Sequence, residues 1–499
     1  MALSFVQEPI NTADKVPVIT NYTPMVGYML YESDISGLFY FKLVLEVRLD
    51  DASGTLLAKI KQRRNGYSSD VTNNRARAFF DVSDIVNSQL IDTVFDQNPT
   101  GAGGAQGIPF QTIHKVGANS YTAPANFIYS VNGDRNTDET QVETIYVKGF
   151  REFSENVLTV PSENVSTTVN DTLVYISASL PLLTARDDDA DYIQGTAFQP
   201  YQANGATDKF LSDLTSSNGD YNTTGYINYI QDTDYHTVAF LNDYANFQSN
   251  IHWIQITYRD SSGTMIGNAQ YIANTATNGG LPSDDGSLAD KSRLLYFGCG
   301  PGNLEASTVD AFSSAGTSSG AAKPSNFSGW AYYTIRGVDD TYAGMTDLYY
   351  FIKQDGSCKG YKVRRLAFRN SLGAYDYFNF KMKSTQTVDI RRNNFSTMLG
   401  TFDKSKYRYN NTQRGKATRQ VTATVKETLN TDWITEQDAN LLEKLIMSTN
   451  VYIVENSDTT YTEGVVITDS SFIRKTNVND NLIQYTVQIE YANPLNTNS

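Results

Sequence analysis

Residues 41–49 read FKLVLEVRL, and this stretch decides the interpretation of the first part of the chain. Every second residue from position 41 to position 49 is apolar, whereas charged residues such as Glu46 and Arg48 lie between them. This alternation predicts a β-strand with one buried face and one exposed face. Residues 51–54 (DASG) predict a turn, and residues 55–61 predict the returning strand of a hairpin.

The same arrangement recurs about 210 residues later, which is the spacing expected of a duplicated unit. Residues 251–258 (IHWIQITY) predict a strand, 259–263 (RDSSG) a turn, and 264–272 a second strand. The recurrence indicates two related β-sandwich-like modules. We place them at residues 1–155 and 156–357.

Polar stretches interrupt both modules. Residues 97–107 (QNPTGAGGAQG) contain no large apolar residue, so we expect an exposed loop there. The first module resumes with a strand at 144–150. Residues 156–235 are rich in Asn, Asp, Ser and Thr, and they predict long loops with one strand at 173–176. Further loops are predicted at 281–288 and 313–325.

The last part of the chain has the most regular pattern. Residues 420–426 alternate as a strand does, and Thr435 with Asp438 has the spacing of a helix capping box. We predict a helix over 435–447 because apolar residues then recur at helical spacing: Leu441, Leu442, Leu445 and Ile446. Strands are predicted at 451–454, 465–468 and 482–491. We therefore expect a third domain, 358–499, of antiparallel strands with one packed helix, and a mainly β protein throughout.

The composition disfavours several classes of protein. The chain has 499 residues, 40% hydrophobic and 19% charged, which is too apolar for intrinsic disorder. Cys299 and Cys358 could form one bridge but no disulfide framework and no four-cysteine zinc site. His114, His236 and His252 are isolated, and we interpret His252 as a sheet residue. No stretch approaches the roughly 20 apolar residues of a membrane span, so we expect neither membrane insertion nor a Sec-type signal.

Three motifs resemble functional patterns without their context. Residues 316–320 match G-x-S-x-G, but no apolar strand precedes the serine and no helix follows it, so we favour a linker. Residues 134–138 have the spacing of a calcium loop, but Glu139 and Ile145 stand where Gly and Glu are needed. The acidic run at 187–191 could hold a hard cation, although a solvated loop is favoured. We predict no catalytic, cofactor or metal residues.

Charge is unevenly distributed along the chain. Residues 359–419 contain 15 basic and 3 acidic residues, a net charge of +12; because the whole chain carries −14, the remainder sums to −26. Such segregation suits docking between subunits, which we favour over a solvated face. Aromatic residues interleave with the basic ones, but the acidic remainder would repel a polyanion, so nucleic acid is the less favoured partner. The interface candidates are Arg364, Arg365, Arg391, Arg392, Lys404, Lys406 and Arg408.

Four segments carry a resemblance to a known class of protein. They are the hairpin at 41–60 and the runs at 144–156 (TIYVKGFREFSEN), 358–380 (CKGYKVRRLAFRNSLGAYDYFNF) and 433–455 (WITEQDANLLEKLIMSTNVYIVE). Together they resemble virion structural proteins of tailed bacteriophages, of the tail or baseplate type found in phages of Bacteroidota and marine bacteria. The resemblance implies a non-enzymatic β protein without cofactors. It also implies assembly in the host bacterial cytoplasm into the virion, in a hetero-oligomeric ring or baseplate with other virion proteins.

The prediction is therefore a structural subunit of a tail, baseplate or neck assembly. It would bind its neighbours through complementary charge and through strand addition along sheet edges. The alternative is a receptor-binding fibre or capsid decoration protein that recognises host-surface glycans through aromatic residues on the long loops. A depolymerase using the carboxylates at 187–191 and a single-strand nucleic-acid binder are less favoured.

Overall fold

The structure is a computed structural model that describes part of the chain. The described residues are 3–8, 18–19, 27–49, 51–64, 68–89, 128–130, 142–176, 210–214, 216–218, 224–241, 251–273, 294–306, 311–312, 318–320, 322–339, 341–354, 360–408, 412, 415–454, 463–469, 483–493 and 495–496.

The chain forms two compact units. The first contains Met1–Lys353 and Asn370–Asp376, and the second contains Gln354–Arg369 and Tyr377–Ser499. The two modules predicted from the sequence both fall in the first unit, apart from residues 354–357. The division into three domains stays a prediction.

Strands dominate the first 353 residues, as the mainly β prediction requires. The elements are β1 (Leu3–Gln7), β2 (Val18–Ile19), β3 (Gly27–Glu32), β4 (Phe39–Leu49), β5 (Leu56–Arg63), α1 (Ser68–Thr72), β6 (Ala76–Asp81), α2 (Ser83–Asn87), β7 (Ile128–Ser130), β8 (Val142–Ser154), β9 (Ser162–Ile176), β10 (Ser216–Asn218), β11 (Thr224–Ile230), β12 (Thr237–Leu241), β13 (Trp253–Arg259), β14 (Gln270–Ala273), β15 (Leu294–Gly298), α3 (Pro301–Ala306), β16 (Ala311–Phe312), β17 (Ser318–Gly320), a 3-10 helix (Pro324–Asn326), β18 (Tyr332–Val338) and β19 (Tyr349–Lys353).

The rest of the chain is also mainly β, with one longer helix. Its elements are β20 (Arg364–Arg369), β21 (Tyr375–Phe380), β22 (Thr385–Ser396), β23 (Thr401–Asp403), β24 (Lys406–Arg408), β25 (Lys416–Asn430), α4 (Glu436–Met447), β26 (Val451–Ile453), β27 (Glu463–Ile467), β28 (Thr486–Tyr491) and β29 (Leu495–Asn496).

Two sheets near the N terminus pack against each other as a sandwich. Their strand orders are β1-β3-β6 and β2-β9-β8-β4-β5. Leu30 of the first sheet lies against Gly149 of the second, where an added Cβ would be 2.5 Å from the Leu30 side chain. Between the sheets, Arg151 donates to Glu32 at 3.0 Å, and both side chains are buried. This pairing offsets the cost of removing each charge from water.

The centre of β4 is buried on both faces, which corrects the prediction of a half-buried strand. Leu43 on one face and Val44 on the other are both fully buried. Glu46, on the same face as Val44, is 7% exposed and pairs with Lys59 at 2.8 Å and Arg48 at 3.3 Å. Burial acts to raise the pKa of Glu46, but these two partners hold it below its ordinary value. Ion pairing therefore lets a charged residue occupy a buried strand.

A second pair of sheets shares one hydrophobic core. Their strand orders are β10-β11-β19-β18-β13-β14-β16-β17 and β12-β15-β7. The core includes Ile254 from the first sheet and Phe297 from the second, and the Tyr333 and Phe351 rings stack with centroids 4.9 Å apart. Because β7 lies at 128–130, a segment predicted within the first module pairs with a strand of the second.

Hydrogen-bonded aspartates close the hairpins that the sequence predicted. Asp51 accepts from the Ser53 amide at 2.8 Å in the first of them. In the second, Asp260 accepts from the amides of Ser262 and Thr264, each at 2.9 Å. An aspartate in this position satisfies amide groups that the turn would otherwise leave without partners. The predicted strand, turn and strand are confirmed at the first site. At the second site the strand and turn are confirmed, but the returning strand, predicted over 264–272, begins only at Gln270.

Two stretches predicted as loops contain strands. The 15-residue β9 begins at Ser162, and β10 and β11 also lie within 156–235. The excursion at 313–325 includes β17 and the 3-10 helix. From 162 to 170 the side chains of β9 are exposed or half-buried, so no apolar alternation marks the strand. Residues 97–107 and 281–288 lie outside the described residues.

Among the described residues of the second unit there is one large antiparallel sheet, and only Tyr375 and Asp376, at the start of its strand β21, belong to the first unit. Its strand order is β21-β20-β26-β27-β28-β25-β22. β29 also pairs with β25, along the edge that faces away from β22. The strands predicted at 420–426, 451–454, 465–468 and 482–491 correspond to β25, β26, β27 and β28. β25 is longer than predicted, at 15 residues.

Helix α4 is confirmed together with its capping box. The Thr435 hydroxyl accepts from the Asp438 amide at 3.2 Å, and the Asp438 carboxylate accepts from the Thr435 amide at 3.2 Å. Leu441, Leu442 and Leu445 are buried, as their spacing predicts. In the part of the chain that the structure describes, no helix has the length and apolar character needed to cross a membrane.

Candidate interaction surface

Two of the seven predicted contact residues lie inside the sheet of the second unit. Arg364 donates from Nε to Glu427 at 2.8 Å, and its side chain is 13% exposed. Arg365 is 3% exposed, donates to the Asn379 side chain at 2.8 Å, and lies 4.7 Å from the Tyr377 ring centroid. We therefore assign both arginines to the interior of the sheet, since neither is open to a partner molecule.

The other five predicted residues lie on an exposed extension of the same sheet. We call this extension the arm and define it as residues 385–408, which contain β22 and the β23–β24 hairpin, together with residues 416–426 of β25. β22 pairs with β25 along its whole length, from Thr385 opposite Thr428 to Ser396 opposite Lys416. All five predicted residues are exposed: Arg391, Arg392, Lys404, Lys406 and Arg408.

The arm narrows to two strands. On the other side of β25, β28 pairs only with residues 426–430 and β29 only with Thr422 and Ala423. From Val421 to Lys416 the described residues supply no third strand. β22 is also the last strand of the sheet, and its 12 residues are all exposed. Two strands alone are marginally stable in water, and an edge strand presents amide and carbonyl groups that can pair with another chain.

One face of the arm continues the buried face of the sheet. Leu429 on β25 and its partner Val487 on β28 are both fully buried. Because side chains two residues apart share a face, Val425 and Ala423 lie on the same side as Leu429. Ala423 is 3% exposed. The buried face of the sheet, which also includes the paired carboxylate Glu427 between Leu429 and Val425, therefore extends toward the arm.

On this face the outer apolar residues are uncovered. Val388, opposite Val425, is 46% exposed, and Ile390, opposite Ala423, is 49% exposed. Leu495 of β29 flanks Ala423 from the other side and is 50% exposed. Residues of this size are normally buried when they lie beside a core, so the row of three across neighbouring strands is an exposed apolar patch.

The arm is strongly basic. Residues 385–426 contain nine Lys and Arg and two Asp, a net charge of +7. Lys426 pairs with Asp389 at 2.9 Å, and this hydrogen bond lowers the pKa of Asp389. Among the described residues no ion pair involves Arg392 or Arg419. Arg419 is the extra residue of a β-bulge, because Asn393 and Asn394 pair with Gln420 and Thr418.

The tip of the arm has a defined backbone and exposed apolar side chains. Gly400 has a φ of 97°, and a Cβ at this position would be 2.5 Å from the Tyr407 ring, so only glycine fits without displacing the tip. Phe395, Met398 and Tyr407 are 45%, 70% and 46% exposed. The tip therefore offers aromatic and aliphatic contact area among cationic residues.

A buried carboxylate holds the base of the arm. Glu427 is 1% exposed, and besides Arg364 it accepts from Gln386 of β22 at 3.0 Å and from the Tyr491 hydroxyl at 2.7 Å. Burial acts to raise the pKa of Glu427, but hydrogen bonds from Gln386, Tyr491, Ser384 and Arg364 hold it below its ordinary value. The charged carboxylate of Glu427 on β25 thus links Gln386 of β22 to Arg364 of β20 and Tyr491 of β28.

The other candidate sites from the sequence do not form a catalytic arrangement in the described residues. Ser318 of the G-x-S-x-G match lies in β17, whereas a nucleophile elbow places its serine at a turn between a strand and a helix. His252 is 3% exposed beside β13, consistent with a sheet residue. No group of His, Cys, Asp and Glu suited to a metal occurs in the described ranges. The runs at 134–138 and 187–191, and Cys358, lie outside those ranges.

Sequence reasoning located the basic segment but missed the apolar half of the surface. Val388 and Ile390 alternate with polar residues in TQTVDIRRNNFS at 385–396, and this alternation is the signal that predicts a strand there. Both residues are exposed because no element within the described ranges covers them, and no local pattern reveals this.

No model of a known protein family matches the chain, and no curated protein matches it either. The geometry of the arm therefore carries the functional argument. An exposed strand edge, an uncovered apolar row and the cations Arg392 and Arg419, which form no ion pair among the described residues, together form a surface suited to binding another polypeptide.

Proposed function

We propose that this chain is a non-enzymatic structural subunit of a tailed-bacteriophage virion, in a tail, baseplate or neck assembly. In this proposal the arm is the surface through which the subunit binds other virion proteins. The mainly β fold and the resemblance at 41–60, 144–156, 358–380 and 433–455 support the proposal.

The observation that carries the proposal is the uncovered continuation of the sheet's buried face. Val388, Ile390 and Leu495 are each about half exposed although they lie beside Ala423, which is buried. Covering an apolar surface contributes about 25 cal/mol per Å². A partner that covers this row would complete the hydrophobic face that the chain leaves unfinished.

Charge supports the same conclusion and indicates the chemistry of the partner. Residues 385–426, which include the arm, carry +7, whereas the part of the chain outside 359–419 carries −26. A neighbouring subunit with a similarly acidic surface would be attracted to the arm and repelled by the rest of the chain. Charge would thus set the register of docking, and apolar contact would supply most of the binding free energy.

The outer edge of β22 suggests how the partner binds. Its 12 residues form the end of the sheet, so a strand from a neighbour can pair with it by main-chain hydrogen bonds. Such pairing would add a third strand beside the two-stranded part of the arm.

The experiment is co-purification after co-expression with the products of the neighbouring virion genes. We expect Arg392→Glu to abolish or strongly reduce capture of a partner, because an acidic residue on the arm would repel an acidic surface. The matched control is Arg75→Glu, which reverses an exposed arginine of the first unit. Capture by the Arg392→Glu variant at the wild-type level would contradict the proposal.

Two rival functions have distinct readouts. Glycan recognition by the long loops concerns residues 156–235 and 281–330, much of which lies outside the described ranges; specific binding of the purified protein on a glycan array would favour it.

Single-strand nucleic-acid binding draws support from exposed Phe395 and Tyr407 among basic residues. A gel shift that weakens with salt and is lost in Tyr407→Ala would favour this second rival.

A further inference from the structure

A groove lies at one end of the five-stranded sheet in the first unit. Its volume is about 1150 Å³, and it is lined by the turn at 35–38, the start of β4, the end of β5 and the loop at 157–161. This volume is at or above the upper end of the range for small-molecule pockets, roughly 300–1,000 Å³. The groove is part of the first unit and does not involve the arm.

The loop that forms one wall is ordered although its apolar residues face solvent. Asn156 accepts from the Leu158 amide at 2.9 Å through its side chain and from the Thr159 amide at 3.1 Å through its carbonyl. Leu158 and Val160 are nonetheless 88% and 87% exposed. A loop that is held by its own hydrogen bonds and displays two aliphatic side chains keeps them available for contact at low entropic cost.

A strained tyrosine also lines the groove. Tyr40 has a φ of 56°, a backbone conformation that is costly for a bulky residue. It lies where the β4–β8 register shifts, between Phe39 opposite Ser154 and Lys42 opposite Glu152. Such a bulge redirects a side chain. The Tyr40 hydroxyl donates to the Val157 carbonyl at 3.0 Å, while the residue remains 55% exposed.

The charged residues of the groove are cationic, and two of them are not neutralised. Lys42 pairs with Glu152 at 2.6 Å. Arg63 and Arg64 are exposed at the end of β5, and no acidic side chain among the described residues pairs with either. The groove therefore combines apolar walls with two guanidinium groups, which bind carboxylates well.

We propose that this groove binds an extended segment of a partner polypeptide that carries apolar side chains beside carboxylates. Leu158, Val160 and Phe39 would contact the apolar side chains, and Arg63 with Arg64 would pair with the carboxylates. The aliphatic Leu158 and Val160 beside two guanidinium groups favour a peptide over a neutral sugar, because a peptide can supply apolar side chains and carboxylates together. The groove would give the subunit a second docking surface, in the other unit from the arm.

The test measures binding of labelled synthetic peptides by fluorescence anisotropy. The probe is a peptide of about ten residues that alternates Leu or Val with Glu, matching an extended segment. Two control peptides replace Glu with Gln, or Leu and Val with Ser. We expect the probe to bind at least about tenfold more tightly than either control, and binding to weaken with added salt.

Variants of the protein assign the binding to the groove. We expect Leu158→Ser with Val160→Ser, and separately Arg63→Gln with Arg64→Gln, each to weaken probe binding by about tenfold or more. All four residues are exposed, so the fold should be retained. The matched controls Val165→Ser and Arg75→Gln, also at exposed positions, should bind as the wild type does. Equal binding by the groove variants, no binding up to about 1 mM, or binding of oligosaccharides in place of the probe would overturn the proposal.

Discussion

Ile390 and Ala423 lie directly opposite each other across the β22–β25 ladder, yet Ala423 is 3% exposed and Ile390 is 49% exposed. The two residues mark the point where the hydrophobic face of the sheet leaves the covered interior and continues along the arm. Burial on one strand and exposure on its neighbour are expected where a covering element ends or where a partner has yet to bind. Under the proposed function, Ile390 is exposed because a partner has yet to bind.

Replacing Ile390 should separate stability from assembly. Because Ile390 is half exposed, we expect Ile390→Thr to lower the free energy of unfolding by less than about 1 kcal/mol. The same change should sharply reduce capture of a partner, since it removes apolar area at the centre of the proposed contact. Urea unfolding and co-purification measure the two effects.

The matched control is Leu56→Thr on β5, where Leu56 is 44% exposed. It should cost similarly little stability and leave capture unchanged. Equal capture by both variants would contradict a role for the apolar row in assembly.

Glu427→Gln should loosen the base of the arm. The substitution leaves Arg364 without its buried counter-charge and weakens the bond to Gln386. We expect a loss of about 3 kcal/mol in the free energy of unfolding. Hydrogen exchange at β22 should accelerate, because the link between β22 and β25 weakens. Glu490→Gln is the control, since Glu490 lies 3.8 Å from Lys426 on the surface and should contribute under about 1 kcal/mol.

The lowered pKa of Glu427 also predicts how the free energy of unfolding depends on pH. Its pKa in the folded chain is below the ordinary value, so the carboxylate stabilises the fold above the unfolded pKa of about 4.3. This stabilisation is lost as the pH falls through the folded pKa. Acid unfolding of the wild type should therefore be steeper than that of Glu427→Gln, and identical acid profiles would contradict the assignment.

The raised pKa of Asp376, in the first unit, predicts that the free energy of unfolding depends on pH in the opposite direction. Its carboxylate is buried and accepts from the Ser212 hydroxyl at 2.6 Å, the Asp213 amide at 2.8 Å and the Asn370 side chain at 3.1 Å. Burial, reinforced by repulsion from the Asp213 carboxylate, raises the pKa of Asp376 to about 7, although the three hydrogen bonds oppose the shift. The folded state thus holds a proton that the unfolded state releases near pH 4.

The free energy of unfolding should therefore fall as the pH rises from about 4 to 7, by on the order of 4 kcal/mol from this group. Asp376→Asn should reduce that slope, which urea unfolding at several pH values between 5 and 8 measures. Asp339→Asn is the control, because the pKa of Asp339 is lowered and asparagine can keep the turn. An unchanged slope in Asp376→Asn would refute the buried proton.

Gly149→Ala should destabilise the N-terminal sandwich. A Cβ at Gly149 would lie 2.5 Å from Leu30 and 2.9 Å from Val169, so the two sheets would have to move apart. We expect a loss of about 1–3 kcal/mol, measured by thermal unfolding. At Gly464 the nearest atom is 3.5 Å away, so Gly464→Ala should be neutral or slightly stabilising. Comparable effects of the two substitutions would argue against tight packing at Gly149.

The sequence predicts those strands and helices whose buried apolar residues recur at regular spacing. β4, β25, β28 and α4 were predicted because apolar residues recur at strand or helix spacing. The end of β9 was predicted, at 173–176, but its first part was missed because residues 162–170 are mostly polar and none of them is buried. Glu46 appeared to mark an exposed face, but ion pairs with Lys59 and Arg48 allow it to be buried.

The candidate surface was predicted only in part for a similar reason. Charge counting found the basic segment, but Arg365 is buried while Arg392 is exposed, and both contribute equally to a count of charges. Which basic residue faces solvent depends on strand pairing over long sequence separations. The groove beside Tyr40 had no sequence signal, because its walls come from four separate segments.

The most direct measurement is a density map, at side-chain detail, of the particle into which the chain assembles. We predict that five basic side chains lie within about 4 Å of carboxylates on an adjoining polypeptide: Arg391, Arg392, Lys404, Lys406 and Arg408. We also predict that apolar side chains of that polypeptide cover Val388 and Ile390. A map in which these residues face bulk water, touched by no other chain, would contradict both predictions.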